Sequence, residues 1–334
     1  MSTTIKDIAK LTGTSPAAVS FVLNNKDHKR VSPEKRKAIL DAIKEHGYRK
    51  NVAARGLVLN RTFRVGLCIH GSFHEYPVHG NFSLYETISL ATGKLNELGY
   101  GIYLLQTDKT SPSEDMVKTL VQEKLDGILF LKWESHSLKK ILPLVKETKI
   151  PTFALDTILD YGDNWAAIDR EGSVYKAISY LLDCGLTKIG ILNIGRGPYE
   201  KLKRSGYKRA MEERGQKPYP VFSASPSGKS VCATTKKMLD VFPETEAIFV
   251  SANIFAPAVV NSISERRNHR RIRIVGLGDA CFTDLCDSKL SYMRLPTKEL
   301  VDFSVETLVN HVESPETQLP QHRIIECDLV VQET

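Results

Sequence analysis

Positive charge is concentrated in the first 62 residues, which hold eight lysines and five arginines against five acidic residues, a net charge of +8. The rest of the chain carries a net charge of −1, since the total is +7. A basic segment on a nearly neutral body is typical of a module that binds a polyanion, although a solubilising charged surface is the alternative. The side chains expected to contact phosphate groups are Lys6, Lys26, Lys29, Arg30, Lys35 and Arg36.

The stretch TGTSPAAVSFVLN, residues 12–24, predicts a turn followed by a helix. Gly13 can adopt the positive φ angle of a tight turn. Ser15 is a favourable N-cap, and Pro16 suits the first helical position. Backbone N–H groups at such a helix start can hold a phosphate, so this stretch is a second candidate for polyanion binding.

Three other patterns resemble catalytic or ligand sites, but each is weak. The stretch HGSFHEYPVHG, residues 70–80, holds His70, His74, Glu75 and His79, which could bind zinc; their spacing matches no known ligand pattern, and a polar lid or a dimer contact is favoured. SASPSGKS ends like a nucleotide-binding P-loop, but Ser223 replaces the required glycine. No Ser/His/Asp or Cys/His order stands out. We therefore predict no enzyme activity, no cofactor and no metal.

The six cysteines are scattered and form no CxxC pair, which fits reduced thiols in a cytoplasm. No apolar run approaches the roughly 18 residues of a membrane span. The start, MSTTIKDIAK, lacks the apolar region of a secretory signal. A cytoplasmic protein without membrane contact is expected.

The basic segment predicts three helices. The first covers 5–12, the second begins after Ser15, and the small Ala9 lies where the two would cross, as in a helix-turn-helix unit. The third begins at Ser32-Pro33-Glu34 and ends at Gly47. Its predicted core face consists of Ala38, Ile39, Ala42 and Ile43. The following stretch, 51–60, is expected to be a hinge that becomes ordered only against a partner.

Beyond residue 62, apolar strand-like runs alternate with amphipathic helices. The predicted strands are 63–69, 100–105, 127–131, 152–155, 166–168, 188–193, 219–222, 246–250 and 272–276. Regular alternation favours parallel, doubly wound sheets covered by helices on both faces. About ten strands indicate two α/β subdomains, and ligands of such folds bind beyond the carboxyl ends of the strands.

With these elements, the chain resembles the LacI/GalR family of bacterial transcription regulators. The resemblance is carried by TIKDIAKLTGTSPAAVSFVLN, VSPEKRKAILDAIKEHGY, and NVAARGL running into TFRVGL, with weaker similarity along the rest. It implies an α/β protein with an N-terminal helix-turn-helix DNA-binding head and a periplasmic-binding-protein-like body of two doubly wound parallel-sheet subdomains. The implied division is a head at 1–49, a hinge helix and linker at 50–62, an N-terminal subdomain at 63–160 and 293–320, and a C-terminal subdomain at 161–292 and 321–334.

The resemblance also implies a mechanism. A homodimer would bind a pseudo-palindromic operator, with one recognition helix per half-site in the major groove. Leu57 matches a hinge leucine that wedges between central base pairs in the minor groove. A sugar-like or nucleoside-like effector between the subdomains would be linked reciprocally to DNA binding. Most relatives repress, while the same machinery can activate. The family's tetramerising tail is not found after DLVV, so a dimer is expected.

The implied DNA contacts carry few groups that read bases by paired hydrogen bonds. They are Thr4, Ser15, Pro16, Ala17, Ser20, Phe21, Asn24, Lys29, Arg30, Asn51, Ala54 and Leu57. Pro16, Ala17 and Phe21 make no bidentate contact with guanine or adenine, so thymine methyl groups and duplex shape are the expected signals. An alternative for Phe21 is packing against Tyr48 or the hinge.

The implied effector pocket departs from the family. Lys203 stands where the family has an arginine that grips the ligand, and Gly278 replaces a hydroxyl-accepting aspartate. Asp169 and Arg170 match the family's Asp-Asn pair at the subdomain crossover. The candidate effector contacts are Phe82, Asp156, Asp169, Lys203, Asn253 and Asp279. We expect an altered ligand, or none, rather than a pyranose bound in the usual way.

Three other interpretations remain open. The first is a soluble sugar-binding sensor, which shares the two-subdomain body but not the basic head. The second is an enzyme acting on a small metabolite in the cleft. The third is an effector-independent DNA-binding regulator with a degenerate pocket.

Overall fold

The structure is a computed structural model that divides the chain into two compact units, Met1–Phe63 and Arg64–Thr334. It describes residues 3–23, 31–48, 56, 59, 61–70, 82–107, 114–131, 133, 135–160, 162–195, 199–265, 271–278, 290–314 and 319–332. No helix in these ranges is long and apolar enough to cross a lipid bilayer.

The first unit contains the three predicted helices: α1 (Ile5–Leu11), α2 (Pro16–Leu23) and α3 (Pro33–Glu45). Side-chain caps fix where they begin. The Ser15 hydroxyl accepts from the backbone N–H of Ala18 at 3.1 Å, and the Ser32 hydroxyl accepts from Lys35 N–H at 3.4 Å. The turn between α1 and α2 passes through Gly13 at φ +58°, as predicted. The helix-turn-helix unit is therefore confirmed.

A small hydrophobic cluster joins the three head helices. Its buried members are Ile8, Ala9, Val19, Val22, Ile39 and Ala42. Ala9 and Ala42 are small, which lets the helices approach closely. One predicted core position is wrong, because Ala38 is exposed, and Ile43 is only partly buried against the cluster. The pattern of α3 therefore buries a narrower face than expected.

The second unit contains twelve strands and eight α-helices among its described residues. The strands are β1 (Arg64–His70), β2 (Gly101–Thr107), β3 (Gly127–Leu131), β4 (Thr152–Leu155), β5 (Trp165–Ile168), β6 (Ile189–Ile194), β7 (Phe222–Ala224), β8 (Ala247–Val250), β9 (Arg273–Leu277), β10 (Ser291–Arg294), β11 (His322–Ile325) and β12 (Asp328–Val330). The helices are α4 (Phe82–Glu97), α5 (Glu114–Gln122), α6 (Ser135–Glu147), α7 (Arg170–Asp183), α8 (Glu200–Glu213), α9 (Gly228–Val241), α10 (Ala256–Ser264) and α11 (Thr297–Glu313), with a 3₁₀ turn at Asn253–Phe255.

These strands form two six-stranded sheets, one per subdomain. The first has the order β2-β1-β3-β4-β5-β11 and is parallel throughout. The second has the order β7-β6-β8-β9-β10-β12 and is parallel except for β12, which runs antiparallel to β10. Strands β3, β5, β6 and β8 are buried along their whole length, as expected for sheets covered on both faces. The predicted architecture is confirmed, with one antiparallel edge strand that the sequence analysis did not anticipate.

Three strands lie in a different sheet from the one expected from the predicted boundaries. β5 belongs to the first sheet, although the boundary at 160 placed it in the C-terminal subdomain. β11 also joins the first sheet, beyond the expected end at 320, and β10 belongs to the second sheet, although residues 293–294 were placed in the first. The chain therefore crosses between subdomains after Ile168, after Arg294 and after Ile325.

Helix α11 packs on β3 of the first sheet. The contact is close at Gly127, where an added Cβ would lie only 3.0 Å from Val312.

Candidate DNA-binding helix and effector junction

The first turn of α2 is the most exposed part of the head's second helix. Ser15, Pro16 and Ala17 are exposed, whereas Val19 and Val22 on the opposite face are buried in the head cluster. Ser20 and Phe21 are half-buried. Because the buried face anchors the helix, its N-terminus and the adjoining side chains are left available to a partner. That arrangement suits contact with a phosphate and with methyl groups.

Thr4 takes part in a reciprocal cap at the start of α1. Its hydroxyl accepts from Asp7 N–H at 3.3 Å, and the Asp7 carboxylate accepts from the Thr4 backbone N–H at 2.8 Å. The hydrogen bonds from the Thr4 hydroxyl and backbone lower the pKa of Asp7. The cap gives Thr4 a structural role, and its contact with DNA stays a prediction.

The basic side chains of the head that the structure describes lie at the surface. Lys6 and Lys35 are exposed and Arg36 is half-buried. Six predicted DNA contacts lie outside the described residues: Asn24, Lys29, Arg30, Asn51, Ala54 and Leu57. They stay predictions.

Asp156 anchors the junction between the two subdomains of the body. It follows β4, is 1% exposed, and adopts φ +58°, a left-handed conformation that aspartate tolerates better than most residues. Its backbone N–H donates to Ala166 O at 2.7 Å, and its Oδ2 accepts from Arg170 Nη2 at 2.8 Å. The second oxygen, Oδ1, accepts from the Ile168 N–H at 3.4 Å. The Asp156 carboxylate is therefore engaged on both oxygens.

Arg170 and Tyr199 complete this arrangement from the second subdomain. The Arg170 guanidinium lies 4.6 Å from the Tyr199 ring centroid, a cation–π distance, and also donates to Ile168 O at 3.3 Å. The Tyr199 hydroxyl donates to the Asp156 carbonyl oxygen. Burial opposes the charge of Arg170, but the Asp156 carboxylate, Tyr199 and Cys327 together outweigh it and raise the pKa of Arg170. Burial raises the pKa of Tyr199, so its hydroxyl stays a donor. These contacts join the subdomains directly.

Lys203 lies one turn after Tyr199 on α8 and is half-buried. Burial, and then the positive charge of Arg170, lower its pKa to about 8; Glu200 and Asp156 act in the opposite direction. Helices α7 and α8 pack closely against each other, which brings Arg170 and Lys203 together. At Gly206 an added Cβ would lie 2.2 Å from the Glu171 carbonyl oxygen, so only glycine lets α8 approach α7 this closely.

The other predicted effector contacts, Asp169, Asn253, Phe82 and Asp279, are not shown to lie beside Asp156 and Lys203. The Asp169 carboxylate caps α7 by accepting from Gly172 N–H at 2.8 Å. Asn253 is 2% exposed, and its amide lies against Gly276 of β9. The side chain of Phe82 and the whole of Asp279 lie outside the described part. Asp156 and Lys203 are thus the predicted contacts that the structure brings together.

Arg170 and Tyr199 belong to the junction but were not among the predicted site residues. A signal for Arg170 was present, since an arginine stands where the family has asparagine, next to Asp169. Tyr199 carried no such signal, because its contact with Asp156 joins residues 43 positions apart.

The predicted zinc ligands of the histidine stretch, the His70 side chain, His74, Glu75 and His79, lie outside the described residues. Within the described ranges, no three His, Cys, Asp or Glu side chains are grouped so that they could hold a metal ion. The segment that resembles a P-loop begins α9, where the Ser227 hydroxyl accepts from Ser230 N–H at 3.3 Å.

Comparison with known proteins matches both units. Residues 4–51 match the model of bacterial regulatory proteins of the lacI family, and residues 178–334 match the periplasmic binding protein-like domain. The HTH-type transcriptional regulator RegA of Clostridium saccharobutylicum is 26% identical over 344 aligned residues, covering 100% of this chain and 99% of that protein. The Ribose operon repressor of Escherichia coli K12 is 25% identical, covering 94% of each chain.

A solved structure has the same fold over nearly the whole length. The Lac repressor dimer bound to operator and the anti-inducer ONPF superimposes with a TM-score of 0.72 at 18% identity, covering 99% of this chain and 98% of that one. The helix-turn-helix head, the two parallel sheets and these full-length relatives lead to one conclusion. The chain combines the head of the lacI family of bacterial regulatory proteins with a periplasmic binding protein-like body.

Proposed function

We propose that this protein is a transcriptional repressor that binds a pseudo-palindromic operator as a homodimer and responds to a small molecule at the subdomain junction. The observation that carries the proposal is the exposed first turn of α2 in an N-terminal segment, residues 1–62, with a net charge of +8. A relative named Ribose operon repressor and the operator-bound Lac repressor dimer support repression, dimerisation and control by a sugar-like molecule. The protein acts on the chromosome, in the cytoplasm, and is not an enzyme.

Readout by the recognition helix rests on methyl groups and duplex shape. Pro16 and Ala17, exposed beside the Ser15 cap, offer apolar surface and no side-chain donor pair for guanine or adenine. We expect selection from a random duplex library to yield an inverted repeat bound about 10³-fold or more tightly than random duplex. The measurement is fluorescence anisotropy at moderate ionic strength. Absence of any preference, with or without metabolites, would refute the proposal.

Replacing thymine by deoxyuridine within the selected half-sites tests the methyl contacts directly. Each buried methyl group is worth about 0.8 kcal/mol, so one contacted thymine should account for a roughly fourfold loss of affinity. The same replacement outside the repeat is the control and should change nothing. If the affinity instead depends chiefly on one G·C pair in each half-site, the proposed mode of readout is wrong.

The hinge supplies a second test, through Leu57. Replacement by alanine removes the proposed wedge, so specific operator affinity should fall on the order of tenfold or more, while non-specific binding to random duplex stays unchanged. Leu59→Ala is the matched control, since Leu59 is 50% exposed and two residues away. Equal operator affinity of the two variants in gel-shift titrations would contradict the wedge.

One observation favours a second candidate function, an effector-independent regulator. The Asp156 carboxylate, which the family pattern would offer to a ligand, is already engaged by Arg170 and Ile168. Operator affinity that no metabolite changes would support this candidate. Ligand-dependent affinity would exclude it.

A further inference from the structure

We propose that the effector at the subdomain junction carries an oxyanion, a phosphate or a carboxylate group, which Lys203 binds beside the Asp156–Arg170 pair. The inference rests on the proposed function, because it names the chemical class of the small molecule that the regulator responds to. It is carried by the distribution of charge among residues that the structure brings together.

The first step is that Asp156 and Arg170 neutralise each other. Their side chains are 1% and 9% exposed, and the Nη2–Oδ2 distance is 2.8 Å. A carboxylate that is almost fully buried, paired with a guanidinium on one oxygen and bonded to a backbone N–H on the other, is poorly placed to orient a sugar hydroxyl. In the part of the chain that the structure describes, Asp156 is therefore not the free carboxylate that a neutral polyol would need.

The second step is that Lys203 faces the same junction without an anion of its own. Residues four apart lie on one face of a helix, and Tyr199, four residues earlier, reaches the Asp156 carbonyl with its hydroxyl. Glu200, on the same turn of α8, approaches Arg204 at 3.5 Å instead. Within the described ranges, the Lys203 ammonium group makes no hydrogen bond or ion pair. Glu200 is shared between Arg204 and Lys203, so the five groups Asp156, Glu200, Arg170, Lys203 and Arg204 together carry one excess positive charge.

The third step is that the surroundings of Lys203 disfavour its positive charge. Burial and the Arg170 guanidinium lower the pKa of Lys203 to about 8, so its environment disfavours the ammonium form. An oxyanion next to Lys203 supplies the missing opposite charge and restores that form. A phosphate monoester is suited to this role because it carries close to two negative charges above neutral pH. A neutral sugar gives no such compensation.

Isothermal titration calorimetry on the full-length protein tests the class of ligand. The probes are inorganic phosphate and matched pairs that differ in one anionic group: ribose against ribose 5-phosphate, and glucose against glucose 6-phosphate and glucuronate. We expect at least one anionic member to bind about tenfold or more tightly than its neutral partner. Preference for the phosphate esters identifies a phosphate group, and preference for glucuronate identifies a carboxylate. Equal or tighter binding of the neutral sugars, or no anionic probe bound at 10 mM (roughly the weak limit of specific binding), would overturn the proposal.

Variants of α8 assign the binding to Lys203. Lys203→Met should weaken the anionic probe about tenfold or more, while Lys201→Met, the same change at an exposed position of the same helix, should leave it unchanged. A loss in both variants, or in neither, would show that Lys203 is not the anion-binding group.

The pH dependence gives a readout that a structural role of Lys203 would not produce. The ammonium form binds the anion and is depleted above pH 8, so affinity should fall about tenfold between pH 7 and pH 9. The charged and titratable groups facing Lys203 are Arg170 from α7, Glu200 from α8, and Asp156 after β4. Arginine keeps its proton across this range, and the raised pKa of nearby Tyr199 keeps its phenol neutral. The affinity of Lys203→Arg for the anionic probe should therefore change less than about twofold between pH 7 and pH 9. A pH profile of Lys203→Arg equal to that of the unmodified protein would refute the assignment.

The outcomes separate the inference from the proposed function. Operator binding without any preference for anionic probes would refute the inference alone. Anion binding through Lys203 in a protein that does not distinguish an inverted repeat from random duplex would refute the proposed function alone.

Discussion

Arg170→Met should lower the free energy of unfolding of the body by about 3–5 kcal/mol, because it leaves the buried Asp156 carboxylate without its counterion. Methionine keeps much of the packing volume of arginine but none of its charge. The variant also loses the cation–π contact with Tyr199, at 4.6 Å. Urea denaturation, followed by circular dichroism, gives the free energy of unfolding for comparison with the unmodified protein.

A surface ion pair offers a matched control for this prediction. Lys139 and Asp160 lie 2.9 Å apart, but their side chains are 45% and 74% exposed. Water and mobile ions screen such a pair, so Lys139→Met should cost no more than about 1 kcal/mol. If Arg170→Met costs no more than Lys139→Met, Asp156 and Arg170 do not form a tight buried pair.

A double variant separates the unpaired charge from lost packing. The change Asp156→Asn removes the negative charge, and asparagine tolerates the left-handed φ of +58° that this position adopts. Combined with Arg170→Met, it should therefore recover about 1 kcal/mol or more of the lost stability. No recovery in the double variant would mean that packing around Tyr199, rather than the unpaired carboxylate, dominates the loss.

The head could be predicted closely because its signals are local. Ser15 and Ser32 cap the helices that follow them, and Gly13 forms the turn at a positive φ angle, as expected from residue type alone. The misplacement of Ala38 has a different origin. Alanine is compatible with both a core and a surface position, and a single helix does not reveal how wide its contact with the other two will be.

The body could be predicted in outline, since alternating strands and helices define parallel sheets. Which of the two sheets the strands near the crossovers join could not be predicted. β10 and β11 have four residues each, too few to carry a pattern that assigns them to one sheet, so their partners are set by the path of the chain between subdomains. The antiparallel β12 follows β11 after two residues, and such a short connection gives no pattern to read.

The junction shows the limit of sequence reasoning most clearly. The types of Asp156 and Lys203 marked them as candidates, but the engagement of Asp156 depends on Arg170, fourteen residues away, and on Tyr199 in the opposite subdomain. The sequence contains each residue without the distances that decide whether a carboxylate is free or paired. The same limit applies to Asp169, which caps α7.

Ile39→Ala should abolish most operator binding, because Ile39 is fully buried at the centre of the small head cluster. Loss of a buried isoleucine costs about 2–5 kcal/mol. A single core in a domain below about 70 residues rarely supplies more than about 3–5 kcal/mol, so the variant head would be largely unfolded. Both heads of the dimer must be folded to bind an inverted repeat, and we expect an affinity loss of about 100-fold or more in anisotropy titrations.

Leu40→Ala is the matched control, since Leu40 is the next residue of α3 and is 47% exposed. Its substitution truncates a side chain of comparable size that faces solvent rather than the core. Operator affinity and head stability should therefore change little. The body forms a separate compact unit, and its thermal transition should be the same in both variants. Equal operator affinity of Ile39→Ala and Leu40→Ala would contradict the assigned core. A body transition lowered only by Ile39→Ala would mean instead that the head stabilises the body, and that the loss of DNA binding does not arise in the head alone.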